Sequence, residues 1–283
     1  MEAIGKSQKR TILFKKILAY VLLTIGGVII ALPFVWMVST ALKEPSQIFT
    51  FPIEWIPEPF VWENFAEALT IRPFDRYAAN TALISALTVI GQVLSSSIVA
   101  YSFARLKWPG RNKLFFIILA TMMLPKSMTL VPKFVIFANL GWVNTFLPLV
   151  VPQFFGFPFF IFLMRQFFMT FPKSMDEAAK IDGCGILGIY WRIILPMSKP
   201  VIGIVAIQAF TNSWNDFINP LIYLNDSKLW TLTLGLRAFQ QQFTVDWHLL
   251  MAASLVVMLP VLFLFFFAQK YFIQGIVFTG VKG

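Results

Sequence analysis

Between residues 17 and 38 the chain runs 22 residues without Asp, Glu, Lys or Arg. Five further apolar stretches follow, at 78–104, 114–131, 142–164, 201–223 and 249–269, interrupted only by Lys126 in the third and Asp216 in the fifth. About 20 mostly apolar residues in a helix cross the hydrocarbon core of a bilayer. The 283 residues are 58% hydrophobic and 13% charged, where a soluble domain carries about 25% charged residues. Folded in water, that excess would leave a large apolar surface exposed. The expected fold class is an all-α integral membrane protein, a single polytopic domain over 1–283 with six transmembrane helices. Pro125, Pro132, Pro148, Pro152 and Pro158 lie in or beside the third and fourth spans. The backbone groups they free must find partners in neighbouring helices or in a wet cavity.

Lys and Arg collect on the cytoplasmic side of membrane proteins. With the N-terminus inside, 16 of the 23 basic residues fall in inner segments, so both termini are expected in the cytoplasm. The net charge of +10 then reports topology rather than nucleic-acid binding. Arg105, Lys107, Arg111 and Lys113 read as one such anchor, attractive also to anionic lipid. The basic flank before residue 17 imitates a signal peptide, but the apolar run exceeds a cleavable core of roughly 7–15 residues. It is expected to be a retained first span.

Cys184 and His248 are the only cysteine and histidine, which excludes an intrachain disulfide and the paired Cys or His ligands of a zinc motif. No nucleophile constellation is present either. The expectation is a chain without catalytic residues, metal or bound cofactor.

The longest inner loop, 172–198, is the most patterned. Ser174 and Glu177 have capping-box spacing, and Asp176 and Glu177 put negative charge where a helix dipole favours it. A short helix is expected over 175–181, stopped at Asp182-Gly183 with Gly183 left-handed, then a second over 186–195 ended by Pro196. A helix of two turns is marginal in water, so it must pack, and Ala178 and Ala179 allow close approach. Gly183, Gly185 and Gly188 also spell G-x-G-x-x-G. A dinucleotide site would need a preceding strand and an acid about 20 residues on, whereas no Asp or Glu occurs between Asp182 and Asp216. Gly275 and Gly280 have P-loop spacing without its Lys. The local pattern alone also fits an interfacial hairpin that meets no partner.

Glu177-Ala178-Ala179, Gly183, Ile193, Leu195 and Pro196 together spell EAA-x3-G-x9-I-x-LP, with Asp182 before the glycine. This resembles the loop of the permease subunits of binding-protein-dependent ATP-binding cassette importers. Trp214-Asn215-Asp216-Phe217, Asn219-Pro220-Leu221, the 251–254 segment and the ending Gly280-Val281-Lys282-Gly283 resemble its carbohydrate-uptake branch. The layout looks like the shorter permease of maltose-type pairs. The resemblance implies a bacterial or archaeal cytoplasmic membrane and a hetero-dimer with a second permease. It also implies a cytoplasmic ATPase dimer that holds ATP and Mg and docks on these loop residues, and an extracytoplasmic binding protein that delivers a sugar.

Asp216 stands about 24 Å beyond Pro200 at the helical rise, toward the outer leaflet. With Asn212, Trp214 and Asn215 it makes a polar, aromatic cluster suited to lining or gating a sugar path. An interhelical hydrogen bond, or a pair with Arg237 or Lys126, would equally explain it. The competing functions are the same machine for a non-sugar solute and a stand-alone secondary transporter, for which a single intramembrane acid is sparse.

Overall fold

A computed structural model describes residues 6–240 and 244–280. In chain order its helices are α1 Lys6–Ala41, α2 Glu63–Thr70, α3 Phe74–Arg105, α4 Arg111–Thr121, α5 Leu130–Asn139, α6 Leu147–Val150 and α7 Pro158–Phe168. They continue with α8 Ser174–Ile181, α9 Ile186–Ile189, α10 Leu195–Met197, α11 Lys199–Trp214, α12 Ile218–Tyr223, α13 Leu232–Leu236 and α14 Trp247–Gly280. Among the described residues the one extended pairing is an isolated bridge between Gln240 and Val245. The C-terminal 281–283 of the sequence motif lies outside the described residues.

Thr11–Ala41, Phe74–Arg105, Leu147–Phe168 and Trp247–Phe267 are long and apolar enough to cross a membrane. Ile186–Met197 and Lys199–Trp214 make a fifth candidate as a pair bent by 79°. Three expected spans differ from single helices. The fourth, 142–164, starts at Leu147 and divides into α6, a 3-10 turn at Val151–Phe155 and α7. The third, 114–131, divides into α4, a 3-10 turn at Lys126–Thr129 and α5, because Pro125 offers no amide and forces the residue before it out of helical geometry. The fifth, 201–223, stops at Trp214 and restarts at Ile218, so Asp216 lies in a helix break.

The contacts divide the described residues into two units, Met1–Arg72 with Phe239–Val256, and Pro73–Ala238 with Val257–Gly283. In the first unit the segment after α1 folds back on that helix's end. Asn64 Nδ2 donates to the carbonyls of Ala41 at 3.0 Å and Lys43 at 2.9 Å, and Ser39 Oγ donates to Trp55 O at 2.7 Å. Lys43 is fully buried, its Nζ 4.6 Å from the Trp36 ring centroid. Burial lowers its pKa, and the nearby Glu54 charge opposes that shift.

In the second unit α3 is the centre, with α7 and α11 packed on it. Its buried positions Thr81, Ser85, Thr88, Gln92, Ser96 and Ala100 repeat at helical spacing on one face. Lipid tails are as apolar as Leu, so association in a membrane favours small side chains and hydrogen bonds over greasy ones. That polar face also answers the prolines of the fourth span. Ser96 Oγ accepts the amide of Phe157 at 3.1 Å, Ser95 Oγ donates to Gln153 O at 3.3 Å, and the Gln92 and Gln153 side chains hydrogen-bond to each other. Two backbone groups of this irregular stretch, the Gln153 carbonyl and the Phe157 amide, thus find partners on the neighbouring helix. The core beneath is apolar, built on Phe160, Met164, Phe168, Ile194 and Val205.

Candidate functional site

The loop 172–198 holds the short helix its sequence anticipates, α8, but the start differs. Ser174 is the first helical residue; Lys173 is the cap, and no side-chain cap hydrogen bond forms. The backbone carbonyl of Lys173 instead accepts the amides of Asp176 at 3.0 Å and Glu177 at 3.2 Å. Arg105, the last residue of α3, organises this end. Its Nε donates to Asp176 Oδ2 at 2.8 Å, its Nη1 to Phe171 O at 2.8 Å and Phe168 O at 3.3 Å, and its Nη2 to Pro172 O at 2.9 Å. The two side chains are only 3% and 13% exposed. One guanidinium therefore joins the C-terminal end of α7, where carbonyls and dipole favour a cation, to an acid in the first turn of α8. Arg105 is thus more than a topology anchor. Seventy-one residues separate it from Asp176, and no local pattern connects them.

The end of α8 follows its sequence closely. Gly183 has φ of +80°; its amide donates to Lys180 O at 3.0 Å and that of Cys184 to Ala179 O at 2.8 Å. This is the glycine-dependent pair of bonds that closes a helix whose next residue is left-handed. Ala179 is buried while Glu177, Ala178, Asp182 and Gly183 are exposed. The expected close approach of Ala178 and Ala179 thus divides, one inward to this chain and one outward. Beside them Ile181 is 87% and Leu187 69% exposed. Asp182, Gly183, Cys184, Leu187, Trp191 and Arg192 line an open notch of about 530 Å³.

The second helix does not end at Pro196. A π turn at Tyr190–Ile194 carries α9 into α10, which includes Pro196 and ends at Met197. Leu195 N–H bonds Tyr190 O, a five-residue step that widens the helix just where Pro196 supplies no donor. The stop comes at Ser198, whose Oγ donates to Ile194 O at 2.6 Å, at the 79° bend into α11. Ile194 and Tyr190 are buried; Ile193 and Leu195 are half-buried and Pro196 exposed. Tyr190 Oη and Ser97 Oγ hydrogen-bond at 2.7 Å, and Tyr101 Oη donates to Ile186 O at 3.1 Å.

At the other end of α11 the four polar and aromatic residues separate. Trp214 is buried and its Nε1 donates to Val257 O at 3.0 Å, so within this chain it packs inward. Asp216 accepts from Asn219 N at 3.2 Å and Asn219 Nδ2 at 2.7 Å, and Thr233 Oγ1 donates to its carbonyl at 2.6 Å. It thus serves the first turn of α12 locally, from the position before the cap residue Phe217. Neither Arg237 nor a second span supplies those bonds. Asn212 and Asn215 are exposed.

The described helices and this structured loop define an all-helical, multi-pass membrane protein rather than a soluble one. The pattern of the family described as "Binding-protein-dependent transport system inner membrane component" matches residues 92–277, and the chain belongs to that family. Its members are transporter subunits rather than enzymes. The chain is 32% identical over 269 residues to the arabinooligosaccharides transport system permease AraQ of Halalkalibacterium halodurans, covering 93% of this chain and 96% of that protein. It is 31% identical over 256 residues to the diacetylchitobiose uptake system permease NgcG of Streptomyces coelicolor, covering 89% and 84% respectively. Among solved structures, a bacterial ATP-binding cassette transporter involved in import of the acidic polysaccharide alginate has a chain of the same fold. There the TM-score is 0.83 at 21% identity, covering 96% of this chain and all of that one.

Proposed function

We propose that this chain is one membrane subunit of an ATP-driven sugar importer of a bacterial or archaeal cytoplasmic membrane. It forms half of the translocation path beside a second, related permease. The observation that carries this reading is α8. It is a helix too short to persist alone, closed by Gly183 and pinned at its other end, yet it turns Glu177, Ala178, Ile181 and Asp182 outward beside an open notch. Such a surface suits a partner that grips the loop, and the reading assigns it to a cytoplasmic ATPase dimer carrying ATP and Mg. In this reading the chain itself has no cofactor, metal or catalytic residue. Six spans with both termini cytoplasmic remain the topology that the Lys and Arg distribution favours.

Sugar is the substrate class that the oligosaccharide permeases above and the Trp214–Leu221 motif favour. The exposed amides of Asn212 and Asn215 are the residues proposed to face the path, and Asp216 sets the helix break that presents them. An extracytoplasmic binding protein would deliver the substrate, in keeping with a family described as binding-protein-dependent.

The docking assignment is tested by Glu177→Lys and Gly183→Asp, the second of which places a side chain at φ +80°. Each is expected to reduce co-purification of the ATPase from solubilised membranes about tenfold or more, with the amount of inserted permease unchanged. Wild-type recovery of the ATPase with both variants would remove the loop from the docking surface.

A further inference from the structure

In sequence, the loop 172–198 joins α7 to α11, and either could carry its displacement onward. Its tertiary hydrogen bonds go elsewhere. Ser97, Tyr101 and Arg105 lie four residues apart and therefore on one face of α3. They hold Tyr190 Oη, Ile186 O, and the Asp176 carboxylate with three carbonyls of 168–172. The loop is fastened along its length to the last turns of a helix that is remote in sequence.

The far end of α3 is fastened as well. Asn80 Nδ2 donates to the carbonyls of Lys228 and Trp230, both at 3.0 Å, and Thr81 Oγ1 accepts the amide of Leu232 at 2.8 Å. Ser85 Oγ donates to Ser213 Oγ at 3.2 Å, beside Asn212 and Asn215. Between these ends α3 is an unbroken helix of 32 residues, about 48 Å long, without the internal proline found in α1 and α14. The two covalent routes are softer. The one through α11 contains the π turn and the 79° bend, and the one through α7 runs into the 3-10 turn at Val151–Phe155. Sharp bends concentrate at such features.

We propose that α3 is the lever that carries movement of the loop to the opposite end of this subunit. Arg105, Tyr101 and Ser97 are its positioning residues. The planar guanidinium makes the principal joint, because it fixes α8 in direction as well as distance. This rests on the reading that an ATPase docks at α8.

The test uses the assembled transporter in right-side-out vesicles, with Ala79→Cys as a reporter on the exposed outer end of α3 and an impermeant maleimide added outside. Trapping ATP with vanadate is expected to change the labelling rate about fivefold or more. Arg105→Gln should cut that change to less than about twofold while the ATPase still co-purifies, and Arg105→Lys should retain part of it. If Arg105→Gln reduces insertion, Tyr101→Phe with Tyr190→Phe decides, since it removes two hydrogen bonds without altering ring volume. A full labelling change in that pair and in Arg105→Gln, with ATPase bound, would overturn the lever. So would a reporter in the wild-type background that does not respond to trapping. Loss of the docking assignment reads out separately, as ATPase that binds Glu177→Lys as well as wild type.

Discussion

α1 and α3 are both long, apolar helices, at 36 and 32 residues, yet their side chains are covered to very different extents. From Thr11 to Val35 the side chains of α1 are exposed, Gly26 aside, and none of its most apolar stretch is buried, whereas 39% of the corresponding stretch of α3 is. Tail-like side chains such as Ile30 and Leu23, 81% and 72% exposed, gain nothing by leaving lipid for another Leu or Ile. The hydroxyls and amides of α3 do gain where they find a partner, as Asn80, Thr81, Ser85, Ser96 and Ser97 do. Apolarity puts a helix in the membrane; the exceptions to apolarity decide what it packs against.

The largest expected break in that comparison is Gly235→Ala, which sets a methyl carbon 2.5 Å from Cδ2 of the buried Tyr77 on α3. An overpacked core costs about 1–3 kcal/mol, read as a lower midpoint in thermal unfolding of the detergent-solubilised chain. An unchanged midpoint would mean that the close packing around α3 contributes little. Ser96→Ala comes next. It leaves the Phe157 amide without its acceptor, at a cost of about 1 kcal/mol in a membrane protein, and should speed hydrogen exchange at 157. Smallest is Ile30→Ala, expected within about 0.5 kcal/mol of wild type in the isolated chain. A loss there equal to that of Gly235→Ala would show that α1 has a packed partner within this chain after all.

The loop illustrates how far local pattern reaches. Asp182-Gly183 announces its helix stop because only a residue without Cβ adopts φ of +80° at little cost, wherever the helix is placed. Ser174 announces a cap that does not form, because Arg105 draws Asp176 into a buried ion pair and Lys173 takes the cap position. Pro196 looks like a terminator, yet the π turn before it absorbs the missing donor. Likewise Asp216 reads as a costly charge within a span, and the break between α11 and α12 lets it take hydrogen bonds from Asn219 in the next helix's first turn.

From sequence alone came the membrane, the helical class, the long spans and the capped loop with its family motif. The first three follow from composition and run length, and the helix stop from neighbouring residues, all before any tertiary contact. The motif, spread over Glu177 to Pro196, is legible only by resemblance. Only the tertiary structure decided that the loop hangs from α3, that Trp214 packs inward against Val257, and which proline breaks are satisfied. Those outcomes depend on hydrogen bonds between residues 43 to 93 positions apart. In a membrane such groups must be paired inside the protein, and the fold alone brings their partners within reach.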